Sequence, residues 1–129
     1  EAIYRYFNKK YPKKNIIVIS SKKFKEVTFK KKLTQKLISH KSIIINCTPL
    51  GSDLSNEYLN KLPICEDLLN DIEPNSLIFD IVYSPEKTKL YYECKKRNIK
   101  YINGKNMNTY QAQEALDLIF DAYKKNEKI

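Results

Sequence analysis

Glycine is almost absent from this chain: Gly51 and Gly104 are the only two in 129 residues. A phosphate loop of the G-x-G-x-x-G kind needs three, because backbone N–H groups at a helix N-terminus must come close to a pyrophosphate, so these residues contain no such loop. Tryptophan is missing and histidine is represented by His40 alone. That removes histidine-based metal sites and Ser-His-Asp hydrolysis, and places His40 at a surface or a helix end. Three cysteines, Cys47, Cys65 and Cys94, lie far apart and never form a CxxC pair. Neither a disulfide framework nor a thiolate metal site is signalled, and all three are read as buried, reduced thiols. No apolar run approaches the roughly 18 residues of a membrane span, and no charged-then-apolar leader opens the sequence. A soluble, cytosolic protein is expected, with no membrane partner and no metal. The length suits one hydrophobic core and is too short for two full domains, so a single domain is expected.

Lysine, in contrast, is plentiful. Of 24 basic residues only Arg5 and Arg97 are arginine, and the formal net charge is +9. A basic balance raises nucleic acid as a partner, but readers of base edges lean on arginine for bidentate contacts and stacking. Abundant Lys, Asn, Ile and Tyr fits a coding bias better than a selected basic patch. The charge is uneven: residues 1–41 hold 13 basic against two acidic residues, and the remainder holds 11 against 13. A polyanionic cofactor beside the first segment would benefit from that field, and solvated lysine-rich helix faces are the competing explanation.

Ala2, Ile3, Tyr6 and Phe7 at helical spacing predict a helix already under way at the first residue. With Met107 the only methionine, a chain cut from something longer is expected. Asn15-Ile16-Ile17-Val18-Ile19 reads as a strand buried on both faces, as does Ile43-Ile44-Ile45. A helix is expected near Leu33, Leu37 and Ile38, and another around Leu68 and Leu69. Residues 77–82 form the third strand, Thr88 to Asn98 a helix with Leu90, Tyr91 and Cys94 facing inward, and residues 99–102 a short strand. In the last helix Ala112, Ala115, Leu116, Ile119, Phe120 and Tyr123 recur at the spacing of one apolar face, and the helix is expected to pack back toward a domain that these residues do not include. Strands alternating with helices imply an α/β fold: a Rossmann-like three-layer sandwich with a mostly parallel sheet.

In such a sheet ligands bind at the carboxyl ends of the strands, which directs attention to residues 20–23, 46–51, 81–85 and 103–107. At the first of these, a cofactor with a free ribose 2′-hydroxyl is usually met by an acid, whereas a 2′-phosphate needs hydroxyls and positive charge. Ser20, Ser21, Lys22, Lys23 and Lys25 supply the second set, so a dinucleotide bound there would be NADP rather than NAD; an ordinary lysine-rich turn is the alternative. Asp80 interrupts an apolar strand and reads as a buried carboxylate accepting loop amides rather than as a general base.

Three segments then carry a resemblance. Ile45-Asn46-Cys47-Thr48-Pro49-Leu50-Gly51 resembles the N-(A/C)-T-P-x-G segment of shikimate dehydrogenases. Asp80-Ile81-Val82-Tyr83-Ser84-Pro85 with Thr88 and Leu90 is similar to their D-x-x-Y-x-P-x-x-T-x-L, and Asn103-Gly104-Lys105-Asn106-Met107 with Gln111-Ala112 to their N-G-x-x-M-x-x-x-Q-A. All three stand in the family's order at expected strand ends. The resemblance implies an NADP-binding portion of an enzyme that reversibly reduces 3-dehydroshikimate to shikimate by hydride transfer. It implies that residues 20–25 face the adenosine 2′-phosphate, where the family commonly has N-R-T and this chain has Ser20-Ser21-Lys22 without a guanidinium. Asn46, Thr48 and Pro49 would line the cofactor cleft; Ile81 and Gly104 would lie near the nicotinamide, glycine allowing close backbone approach. Met107 stands between cofactor contact and core. Tyr83 and Gln111 would meet the hydroxyls of shikimate, with strand-end packing as the other reading of Tyr83. A capping box with Asn108, which would place the start of the last helix there, is the other reading of Gln111.

The family's catalytic Lys and Asp pair belongs to a substrate domain without counterpart in these residues, so no catalytic residue is expected here. Glu1 would lie just past the missing glycine-rich loop. A quinate-type relative satisfies the same motifs, and a non-catalytic basic module binding nucleic acid or protein is the reading from another class.

Overall fold

In the computed structural model, residues 2–13, 16–20, 29–30, 33–38 and 43–126 are described. They divide into two compact units, residues 1–37 and 38–129.

The first unit opens with helix α1 (Ala2–Lys10), which buries none of its residues. Tyr6, from the expected helical spacing, and Tyr11, just past the helix, flank Lys10, whose ammonium lies 5.3 Å and 5.7 Å from the two ring centres and donates to the Tyr6 hydroxyl. Two short strands follow, β1 (Val18–Ile19) and β2 (Phe29–Lys30), paired in parallel. The first is shorter than the expected run from Asn15, and Ile19 is exposed rather than buried on both faces. The second has no counterpart in the sequence reading, because two residues running into a lysine stretch carry no legible alternation. Helix α2 (Gln35–Ile38) forms where Leu37 and Ile38 announced one.

The second unit is built on a three-stranded parallel sheet of β3 (Ile43–Asn46), β4 (Leu77–Asp80) and β5 (Lys100–Asn103), with β4 in the middle. Short helices α3 (Asn56–Leu59) and α4 (Glu66–Asn70) lie between β3 and β4; α5 (Lys89–Lys96) makes the crossover from β4 to β5, and α6 (Lys105–Asn126) ends the chain. The α/β class with a parallel sheet is as expected. Ile78 on the central strand is fully buried together with Leu69, Leu90 and Cys94 from α4 and α5. Those four side chains explain why the apolar runs fold where they do: each apolar strand residue turned to the helical layer finds a helix residue to shed water against. Ile43, expected to be buried on both faces, is 62% exposed, because β3 borders the described sheet on one side.

Helix α5 is stopped at both ends by local chemistry. The Thr88 hydroxyl accepts from the Tyr91 N–H at its start. At its end Asn98 takes a left-handed φ of 56°, so that the Ile99 N–H returns to the Cys94 carbonyl at 2.9 Å. The Arg97 guanidinium pairs with Glu93, holding that carboxyl below its usual range, and reaches Asn70 on α4.

One expectation is overturned. Cys47 and Cys65 are exposed and only Cys94 is buried, since the first two fall on loops rather than on an inward helix face. The apolar stripe of α6 is not covered by any of the described residues: Leu116, Ile119, Phe120 and Tyr123 are exposed, as is every residue from Asn108 to Lys124. A helix of 22 residues runs about 33 Å, far beyond the reach of a three-stranded sheet, and leaves it after the first turn. Among the described residues no helix is long and apolar enough to cross a membrane.

Burial pushes the Cys94 thiol up to about 12, with the Asp80 carboxylate adding to the effect. The native state therefore keeps its proton while the unfolded chain loses one from about pH 9, so stability should fall as pH climbs from 9 toward 12. Melting curves across that window are expected to decline for the natural chain and less steeply for Cys94→Ala. Just below pH 9, a thiol reagent should modify Cys47 and Cys65 and leave Cys94 untouched until the chain is denatured.

Candidate functional site

Parallel register levels three polar residues along the carboxyl edge of the sheet: Asn46, Asp80 and Asn103 stand side by side at the tips of β3, β4 and β5. The Asp80 side chain is wholly buried. A carboxylate without water is costly unless donors surround it, and here four do. Its Oδ1 accepts from the Asn46 amide at 2.9 Å and the Val82 N–H at 3.1 Å, and its Oδ2 accepts from the Tyr101 hydroxyl at 3.0 Å and the Thr88 hydroxyl at 3.3 Å. Acceptance of the Val82 amide matches the sequence reading of Asp80; the three side-chain donors were not legible there. Burial and the adjacent carboxylate push the Tyr101 phenol well above the usual tyrosine range.

Asn46 passes this order outward. Its amide nitrogen is committed to Asp80, so its Oδ1 is left to accept from the Thr48 N–H at 3.0 Å and the Thr48 hydroxyl at 2.7 Å. The Thr48 oxygen then accepts from the Leu50 N–H. The turn continues through Gly51, whose φ of 95° favours glycine and whose N–H donates to the Tyr58 carbonyl.

The loop after β3 and the loop after β4 enclose a groove of about 320 Å³, lined by Cys47, Thr48, Pro49, Ser52, Asp53, Leu54, Ile81, Val82, Tyr83 and Ser84. A reciprocal pair of hydrogen bonds ties the two loops: the Asp53 N–H donates to the Ser84 carbonyl at 3.1 Å, and the Ser84 hydroxyl donates to the Asp53 carboxylate at 2.6 Å. Ser84 precedes Pro85 across a cis peptide bond. Asp53 is the one carboxylate among the lining residues, which include no Lys, Arg or His, so the groove suits an uncharged or cationic group and disfavours a phosphate.

Gly104 anchors the third tip. Its N–H donates to the Val82 carbonyl at 3.1 Å, and a Cβ there would stand 2.1 Å from the Ile81 carbonyl oxygen. The backbone that passes close to this glycine is that of Ile81. Asn103 accepts from the Lys105 N–H at the start of α6 and donates to the Glu86 carbonyl; Lys105 pairs with Glu86. Because α6 begins at Lys105, Asn108 lies inside the helix, and the capping-box reading of Gln111 is excluded.

The structure thus brings Thr48, Pro49, Ile81 and Tyr83 to one groove, with Asn46 and Gly104 supporting it from the strand tips. Tyr83 is half exposed there rather than packed away. Met107, half-buried, and Gln111, exposed, sit on α6 and do not line this groove. Ser20 belongs to the other unit, and Ser21, Lys22, Lys23 and Lys25 lie outside the described residues, as does His40. Asp53, with its neighbours Ser52 and Leu54, lies outside the strand-end stretches singled out in the sequence, while Cys47 and Ser84 lie inside them but were given no role there. Partial desolvation raises the Cys47 thiol, which keeps it protonated in neutral solution. Among the described residues no cluster of His, Cys, Asp and Glu could hold a metal ion.

No protein-family model matches the chain. A shikimate dehydrogenase (NADP(+)) of Clostridium botulinum is 34% identical over 76 residues, 59% of this chain and 27% of that protein. One of Staphylococcus aureus is 32% identical over 84 residues, 65% of this chain and 29% of that protein. The chain therefore spans little more than a quarter of the length of these curated relatives. Among solved structures, a chorismate mutase/shikimate 5-dehydrogenase fusion protein from Clostridium acetobutylicum superimposes with a TM-score of 0.71 at 24% identity, covering 93% of this chain and 42% of that one. The fold is thus shared with that protein, and the sequence matches bear out the resemblance to shikimate dehydrogenases read from the three segments.

Replacing Gly104 with alanine forces the Ile81 backbone to move, since no flexible side chain is there to yield. Gly104→Ala is expected to destabilise the chain by at least about 1–3 kcal/mol, the usual range for overpacking. Chemical denaturation would register this; a variant as stable as the natural chain would show that the Ile81 approach is not rigid.

Proposed function

We propose that this chain is the NADP-binding portion of a cytosolic shikimate dehydrogenase, and that its groove receives the nicotinamide end of the cofactor. The observation that carries this reading is the convergence of two of the three family-like segments on one groove, with the third locked beneath it through Gly104. Their polar tips sit where an open parallel sheet offers a crevice.

The residues present fit that end of the cofactor. Pro49, Leu54, Ile81 and Val82 give apolar walls, Thr48 and Ser52 give hydroxyls, and the single charge, Asp53, is compatible with a neutral or cationic ring. Phosphates need a different place. In this reading Ser20, Ser21, Lys22, Lys23 and Lys25 take the adenosine 2′-phosphate, with lysine charge replacing the guanidinium that the family commonly uses there. Asn46, Thr48 and Pro49 hold the cofactor at the end of β3, while Ile81 and Gly104 lie near the nicotinamide; Met107, on α6 outside the groove, is assigned to the cofactor only through the family-like segment that carries it. When bound, NADPH supplies the hydride that reduces a 3-keto group to an alcohol. The work of this chain is to bind and orient: Thr48 is fixed by Asn46, and Ile81 is fixed by Gly104 and by its own N–H, which donates to the Asn46 carbonyl. Tyr83 and Gln111 are assigned to the hydroxyls of the substrate, shikimate or 3-dehydroshikimate. No residue of this chain moves the proton that goes to the carbonyl oxygen; in this reading a Lys and Asp pair on another part of the longer polypeptide does so.

Two measurements test the reading. Added to the 129-residue chain, NADP+ is expected to perturb the amide resonances of Thr48, Ile81 and Gly104 with a dissociation constant on the order of millimolar, NAD+ more weakly still. The same chain is expected not to oxidise shikimate, followed as NADPH absorbance. Shikimate turnover by these residues alone would overturn the assignment of the catalytic pair elsewhere. Salt-sensitive binding of DNA or RNA, with no response of those amides to NADP+, would favour a basic nucleic-acid module instead.

A further inference from the structure

We infer that Tyr101 is a positioning residue for the groove: its phenol orients the Asp80 carboxylate, and through Asn46 that carboxylate sets the direction of the Thr48 amide and hydroxyl. The functional half of this inference rests on the proposed cofactor reading; the geometric half does not.

Tyr101 lies on β5 level with Ile78, two residues below the strand tips, yet its hydroxyl reaches the tip of β4 and donates to Asp80 Oδ2 at 3.0 Å. The ring is held edge-on to Tyr91 at 5.6 Å. A carboxylate can turn about its last bond, so two donors on one oxygen decide where the other points. Both Oδ2 donors, Tyr101 and Thr88, come from outside the groove-lining loops, whereas both Oδ1 donors, Asn46 and Val82, lead into them. Of the two Oδ2 bonds that from Tyr101, at 3.0 Å, is shorter than that from Thr88, at 3.3 Å, and the two hydroxyls stand 3.2 Å from each other. With the Asn46 amide nitrogen committed to an acceptor, only its oxygen is free to receive Thr48. Four side chains in series thus join β5 to the groove, and in such a series the removal of one donor is felt by the next bonds. Outer groups of this kind usually act by fixing the group that touches the ligand.

The test compares Tyr101→Phe with Tyr91→Phe in the 129-residue chain; both keep the ring and remove one hydroxyl. Melting temperature, the amide resonances of Thr48 and Val82, and NADP+ affinity are measured on each. Tyr101→Phe is expected to shift or broaden the Thr48 amide, with which Tyr101 makes no bond, and to weaken NADP+ binding roughly three- to tenfold, the effect of one hydrogen bond. Tyr91→Phe is expected to leave both unchanged. A lower melting temperature with the Thr48 amide unmoved would reduce Tyr101 to a purely structural role and overturn the inference. If Thr48 moves in Tyr101→Phe while NADP+ perturbs nothing in the natural chain, the positioning stands and the cofactor reading fails. Should Tyr101→Phe not fold, 3-fluorotyrosine at position 101 keeps the hydroxyl and makes it a stronger donor; a Thr48 amide that does not respond to it overturns the inference equally.

Discussion

A carboxylate taken out of water at the end of a buried strand must be surrounded by donors, and the second unit of this protein is arranged around meeting that demand at Asp80. Its four donors come from the ends of β3 and β4, the first residue before α5, and β5. Each donor belongs to a different piece of chain, so satisfying one buried charge registers three strands and a helix against each other. An apolar residue at that position would be cheaper to bury but could not specify direction, since hydrophobic contact is indifferent to orientation. The groove inherits its shape from this requirement: Asn46 is fixed by Asp80, Thr48 by Asn46, and the loop after β4 by the Val82 N–H and the Gly104 contact.

Glycine use follows the same economy of position. Only two glycines occur, and each answers a different constraint: Gly51 a left-handed turn, Gly104 a backbone that passes where a Cβ would be. With neither available for a phosphate cradle, the described groove is left to the uncharged part of a ligand. Asp53 reinforces that division by placing a negative charge on its lining while also tying the two loops together through Ser84.

The exposed stripe on α6 and the exposed edge residue Ile43 show how periodicity can be correct about structure and silent about burial. Helical spacing reports that one face is apolar; whether anything covers that face depends on what lies within reach, and α6 runs past the sheet. The misplacement of Cys47 and Cys65 has the same origin, since a cysteine on a loop carries no pattern that distinguishes it from one on a helix.

Much of the α/β order was legible in the residues themselves. Short β-branched runs ending abruptly in Asn, Asp, Thr, Pro or Gly mark strands that stop at a polar edge, and because a parallel sheet aligns its carboxyl ends, those stops located Thr48, Pro49, Ile81 and Tyr83 before any coordinate did. The buried role of Asp80 followed from a charge set in an apolar run. What only the tertiary structure decided were the partners: Tyr101 lies 21 residues from Asp80 and Ser84 lies 31 residues from Asp53. A hydrogen bond across such a separation leaves no local trace, because neither residue's neighbours along the chain record which distant strand end the fold will bring within three ångströms of it.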